Sequence, residues 1–200
     1  EAVEFGSASE ASFSLNELFD SIERRLSILN ESEDANSASS ELRAFLSERL
    51  LPFYRAARDA LGGSHALTKL DAVYRTLSPS DLGFHNGLKR RDGVWIFQDF
   101  EYFGWDDPAK LIVDVELHPA MSLSPSLCAD WRKSALAVFA DDLDLERRVE
   151  RVFPLYGVKW CIILLNEFVP RYRARRGFAA VEPQALEDAQ LRQLRKARTL

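Results

Sequence analysis

Leu15, Leu18, Phe19, Ile22, Leu26 and Leu29 recur at helical spacing and make one apolar stripe, which predicts a helix that buries a single face. Ser14 followed by Glu17 has capping-box spacing and marks the start of that helix. The run NESEDANSASS at 30–40 is polar throughout and reads as a solvated loop. A second helix is expected from about Ser40, with Leu42, Phe45, Leu46 and Phe53 on one side. Pro52 should kink or end it, because the ring removes a backbone donor and crowds the preceding turn. Gly62-Gly63 closes this helical pair.

Further along, Asp107-Pro108 and Ser124-Pro125 each set a capping side chain before a proline at the first helical position. They predict one helix through Leu117 and another presenting Leu127, Trp131, Leu136 and Phe139. The next helix begins near Leu145, and Pro154 is expected to break it. Val158 to Leu165 is apolar nearly all round, the mark of a buried helix. Glu182-Pro183 opens a last helix with Leu186, Leu191 and Leu194 facing inward. Between the helices lies a short apolar run, Val94-Trp95-Ile96-Phe97, preceded by the turn signal Arg91-Asp92-Gly93. It reads as a strand whose alternate aromatics point into a core. The pattern amounts to seven or eight helices and two to four short strands without an internal repeat: an α+β chain, mostly α. Residues 1–13 show no period and read as a tail or linker, leaving 14–200 as the folded lobe.

Composition narrows the functional classes. The chain has 200 residues, 46% hydrophobic and 28% charged, enough apolar material for one sizeable core. A formal net charge of −5 argues against a general nucleic-acid partner. No apolar run reaches the length of a membrane span, so no membrane partner is expected. Cys128 and Cys161 sit in apolar helical contexts and make no disulfide framework, which points to a reducing, cytoplasmic setting.

The chemistry concentrates between Leu77 and Asp114. Asp81 and Asn86 share a polar loop containing Gly83, and the apolar run at 94–97 delivers Asp99-Phe100-Glu101 at its end. A carboxylate and an amide in one loop, with a second carboxylate at a neighbouring strand end, supply one base and two hard metal ligands. Phosphoryl transfer needs such a set, because a hydroxyl must be oriented while a cation neutralises charge on the phosphate oxygens.

D-x-x-x-x-N followed by a strand ending D-F-E resembles the aminoglycoside phosphotransferase and choline-kinase-like group, and Gly104-Trp105-Asp106-Asp107-Pro108 with Asp114 resembles that group's G-D-P…D element. The resemblance covers about forty residues closely. It implies the C-terminal lobe of a protein-kinase-like fold, with a small β-hairpin carrying the site. It also implies an ATP- and Mg²⁺-dependent transfer of phosphate to a small-molecule hydroxyl, on a sugar, amino sugar or amino alcohol. Asp81 would be the catalytic Asp, and Asn86 and Asp99 would hold the metal. Where the family has His-Gly before the catalytic Asp, a scaffold of the loop, this chain has Pro79-Ser80. That departure favours the alternative, a non-catalytic binding module of pseudokinase-like type on the same fold.

A kinase of this fold also needs an N-terminal nucleotide lobe with a glycine-rich loop and a phosphate-reaching Lys. Neither is legible in the first sixty residues, so the chain reads as the C-terminal part of a longer protein, inactive by itself. His65, His85 and His118 show no metal-ligand spacing, and only His85 is expected beside the site. Asp106, Asp107 and Asp114 read as caps and braces of the following helix. Aromatics just past Asp99 could line a pocket for a ring-bearing substrate. Arg171, Arg173, Arg175 and Arg176 read as a solvated cluster near a helix C-terminus.

Overall fold

The computed structural model describes residues 5–30, 36–63, 67–175 and 182–200. His65 and Arg176 therefore lie outside the described residues, as do residues 31–35 of the polar run and the first four residues of the expected tail. Among the described residues the chain is mostly helical, with eight α-helices and four three-residue strands. It divides into two compact units, Glu1–Leu18 with Gly63–Tyr156, and Phe19–Gly62 with Gly157–Leu200.

The second unit is helical. Helix α1 (Leu15–Asn30), which belongs to this unit from Phe19 onward, carries the apolar stripe read from the sequence, and Leu18, Phe19, Ile22, Leu26 and Leu29 are all buried. Its capping box forms, with the Glu17 backbone N–H donating to Ser14 Oγ at 3.2 Å and Glu17 Oε2 accepting from the Phe13 N–H at 2.8 Å. Helix α2 (Ser37–Phe45) starts three residues before the expected position, because the Asn36 side chain accepts from the Ser39 N–H and caps it. The disturbance expected at Pro52 is a π turn over Leu46–Leu50, after which α3 (Leu51–Leu61) resumes with the proline in its first turn and ends at Gly62. The backbone stays right-handed helical at Leu50 and Leu51, so the helical run is continuous and the π turn directly precedes the proline.

In the first unit, strands β1 (Thr76–Ser78) and β4 (Gly104–Asp106) pair antiparallel, as do β2 (Gly87–Lys89) and β3 (Trp95–Phe97). Residues 6–9, read from the sequence as tail or linker, run along β4: Ala8 N–H donates to the Trp105 carbonyl and Trp105 N–H to the Gly6 carbonyl, both at 2.9 Å. Gly104 makes this approach possible, since a Cβ there would come within 2.5 Å of Ala8 N and Gly6 O. Helix α4 (Pro108–Leu117) is capped by Asp107, which accepts from the Ala109 N–H at 2.8 Å, and α5 (Pro125–Val138) by Ser124. Both proline-started helices match the expectation.

Two expectations are corrected. Helix α6 (Leu145–Leu164) runs unbroken through Pro154. Val149, Leu155, Val158 and Ile162 are buried on either side of the proline, and this packing outweighs the one lost hydrogen bond. Second, the run at 94–97 is not a core strand: Val94, Trp95, Ile96 and Phe97 are all exposed. A short two-stranded ribbon offers no second layer in which to bury them. The chain continues through α7 (Pro170–Arg175) to α8 (Pro183–Thr199), where Leu194 and Ala197 are buried.

Candidate active site

The loop between β1 and β2 is fastened at its root. Ser80 adopts a left-handed backbone (φ 66°), with its N–H on Ser78 Oγ at 3.0 Å and its own hydroxyl donating to the Ser9 carbonyl at 2.8 Å. The same hydroxyl accepts from Lys110 Nζ at 3.1 Å. Lys110 is 3% exposed and also contacts Asp106 at 2.8 Å and Asp114 at 3.2 Å. Burial disfavours its charge, but Asp114 and Asp106 outweigh that and push the ammonium up to about 12. The acidic residues read as braces do brace: Asp106 and Asp114 hold the lysine that holds the loop, and Asp107 caps α4 while pairing with Arg148 at 3.1 Å.

The next residue is Asp81. Asn86, five positions on, closes the loop by donating from Nδ2 to the Asp81 carbonyl at 3.0 Å and to Asp81 Oδ2 at 3.3 Å. With its amide nitrogen engaged there, the Asn86 side-chain oxygen is the atom that could face a hard cation. The β2–β3 ribbon then carries the chain back, because the Gln98 N–H donates to the Asn86 carbonyl at 2.8 Å. Asp99 follows directly, exposed and in a left-handed backbone (φ 64°), a conformation Asp tolerates better than most residues. The Tyr102 phenol is held above its usual value first by a hydrogen bond to Glu101 and that residue's charge, then by burial, and then by the charges of Asp99 and Asp81. The three residues picked out by the D-x-x-x-x-N…D pattern thus lie around one ribbon end, with Asp81 and Asn86 in direct contact.

Two further residues reach Asp81: His85, expected beside the site, and His118, which was missed in the sequence. His118 follows the last residue of α4 and reaches Asp81 Oδ1 through Nε2 at 3.3 Å; His85 Nε2 reaches the same oxygen at 3.3 Å. The two imidazoles stack at 4.4 Å between centroids with 19° between planes. Gly83 leaves room for this, since a Cβ there would strike the His85 ring at 2.5 Å. The hydrogen bond from His118, followed by the charge of His85, holds the Asp81 carboxyl down at about 2 despite its partial burial. The expectation that His118 lies away from the site is therefore wrong. Thirty-seven residues separate it from Asp81, and only the Asp107-Pro108 helix start hints at where the helix end falls. Lys110 was legible in principle, four residues after Asp106 and four before Asp114.

Asp81, His85 and His118 present one ligand atom each within 4.8 Å of one another, a spacing a metal ion could use. Asn86 and Asp99 offer oxygen donors, the ligand type a hard cation such as Mg²⁺ would use. A cavity of about 510 Å³ in the same unit has Asp107, Lys110, Arg148 and Tyr156 in its wall, and its lining includes none of Asp81, Asn86 and Asp99. No helix among the described residues is long and apolar enough to cross a membrane. Comparison with known proteins returns no matching family model, curated protein or solved structure.

Proposed function

We propose that this chain is the C-terminal catalytic lobe of a small-molecule phosphotransferase on a protein-kinase-like fold, of the kind its motifs resemble. The observation that carries the reading is the Asn86 amide held against Asp81 at the end of a ribbon that leads straight to Asp99. Asp81 orients the acceptor hydroxyl. A carboxylate as acidic as this one stays ionised as the hydroxyl approaches, and takes the proton only as the oxygen begins to bond to phosphorus. Asn86 and Asp99 would hold Mg²⁺, which when bound neutralises charge on the phosphates of ATP. Phe100 and Tyr102, both exposed beside these groups, offer apolar surface for a ring-bearing substrate or nucleotide base. The negative rim favours a cationic acceptor such as an amino sugar or amino alcohol.

One observation favours the rival reading, a non-catalytic binding module: Asp81 Oδ1 already serves two imidazoles. Asp81→Asn separates the two. In the intact protein carrying these residues, the substitution should leave Mg²⁺-dependent ATP binding in place and lower turnover of ATP by roughly a thousandfold or more. An unchanged rate removes Asp81 from the chemistry.

A further inference from the structure

The cluster of Asp81, His85 and His118 has the spacing of a transition-metal site, and the hydrogen bonding of His118 argues against that use. The backbone N–H of Ala120 donates to His118 Nδ1 at 3.1 Å. A nitrogen that accepts a hydrogen bond carries no proton, so the neutral ring bears its proton on Nε2, the atom facing Asp81 Oδ1. A metal-bound imidazole has the opposite arrangement, with the ligating nitrogen bare and the other one donating. Ala120 therefore sets His118 as a donor to Asp81.

The same turn grips the loop at other points. The Phe84 N–H lies 3.1 Å from Met121 Sδ, and the Met121 N–H closes the turn on the His118 carbonyl at 2.9 Å. The His118 ring covers that of His85, and its side chain is largely buried. The His118–Asp81, His118–His85 and Met121–Phe84 contacts join residues 118–121 to the loop that carries Asp81, while Pro79 and Ser80 occupy the two positions where the resembled family places its loop scaffold.

Resting on the proposed phosphotransferase reading, we infer that His118 is a positioning residue. Locked as the Nε2–H tautomer by Ala120, it donates to Asp81 Oδ1 and aims the carboxylate at the acceptor hydroxyl. Ser80 fastens the root of the loop, and His118 adds from the end of α4 a direct hold on the Asp81 carboxylate itself. The cluster is a hydrogen-bond clamp and binds no transition metal in its working state.

Long-range proton–nitrogen NMR correlations on the intact protein give the first readout. His118 should show a protonated Nε2 and a bare Nδ1, a pattern that does not depend on any activity. A protonated Nδ1 would overturn the clamp, and so would stoichiometric Zn²⁺ binding that shifts both imidazoles together. The second readout uses Mg²⁺·ATP with water as acceptor. His118→Phe keeps the flat ring over His85 and removes the donor, and should lower turnover by roughly ten- to a hundredfold with half-saturation by Mg²⁺·ATP changed less than about twofold. His118→Gln, which retains an N–H donor, should recover part of the loss. Full turnover in His118→Phe would end the positioning role. Absence of Mg²⁺·ATP binding in the unsubstituted protein would instead end the phosphotransferase reading, and the tautomer alone would then judge the clamp.

Discussion

The two strand pairs of the first unit invert the usual relation between polarity and burial. In β1–β4, Ser78 and Asp106 are fully buried. In β2–β3, Trp95, Ile96 and Phe97 are exposed. The inner pair tolerates its polar groups because each has a partner: Lys110 answers Asp106, and the Ser78 hydroxyl accepts the Ser80 N–H. The outer ribbon keeps its aromatics in the open because it is two strands wide. Rigidity is thus concentrated at the root of the Asp81 loop, while the ribbon that delivers Asp99 keeps an apolar surface free, as a surface that receives another molecule would.

The sharpest way to break this comparison is to remove the buried cation. Lys110→Ala leaves Asp106 charged and unpaired in the interior, and should cost about 3–5 kcal/mol in chemical denaturation. A cost under about 1 kcal/mol would mean that water reaches Asp106. The raised ammonium also fixes a pH trend. Its folded value lies above the ordinary 10.5, so its contribution is complete below that pH and should be lost as pH rises through about 12. Gly104→Ala comes next: a Cβ would drive into the backbone of residues 6–8, for an expected loss of about 1–3 kcal/mol by the same measurement. On the outer ribbon, Ile96→Thr should change stability by less than about 0.5 kcal/mol, since the side chain is exposed. A large loss there would show that the ribbon is buried in the working protein. A pH-dependent effect concerns Asp81. With its folded value pushed from 3.8 to about 2, its charge favours the fold above the ordinary value. The stability gap between the unsubstituted protein and Asp81→Asn should therefore narrow as pH falls from 3.8 toward 2.

What was legible in the sequence follows from how local each signal is. Caps read well, since Asp107, Ser124 and Ser14 act within three residues of themselves. The contact between Asp81 and Asn86 was legible because one loop holds both. The exposure of 94–97 was not, because an apolar run reports appetite for burial and says nothing about whether a second layer exists. Pro154 misled for a related reason: the loss of one hydrogen bond is a local rule, and burial on both sides overrides it. His118 was beyond reach, since its role depends on where α4 ends relative to a loop thirty-seven residues earlier.

The claim at the centre of this account is that Asp99, with Asn86, is built to hold a hard cation against a nucleotide. Calorimetry of ATP binding by the intact protein, with and without Mg²⁺, tests it against the Asp99→Ala variant. The account predicts Mg²⁺-dependent binding that disappears in Asp99→Ala while the variant keeps its fold. Binding that is unaffected by the substitution, or no binding of ATP in the unsubstituted protein, would contradict it.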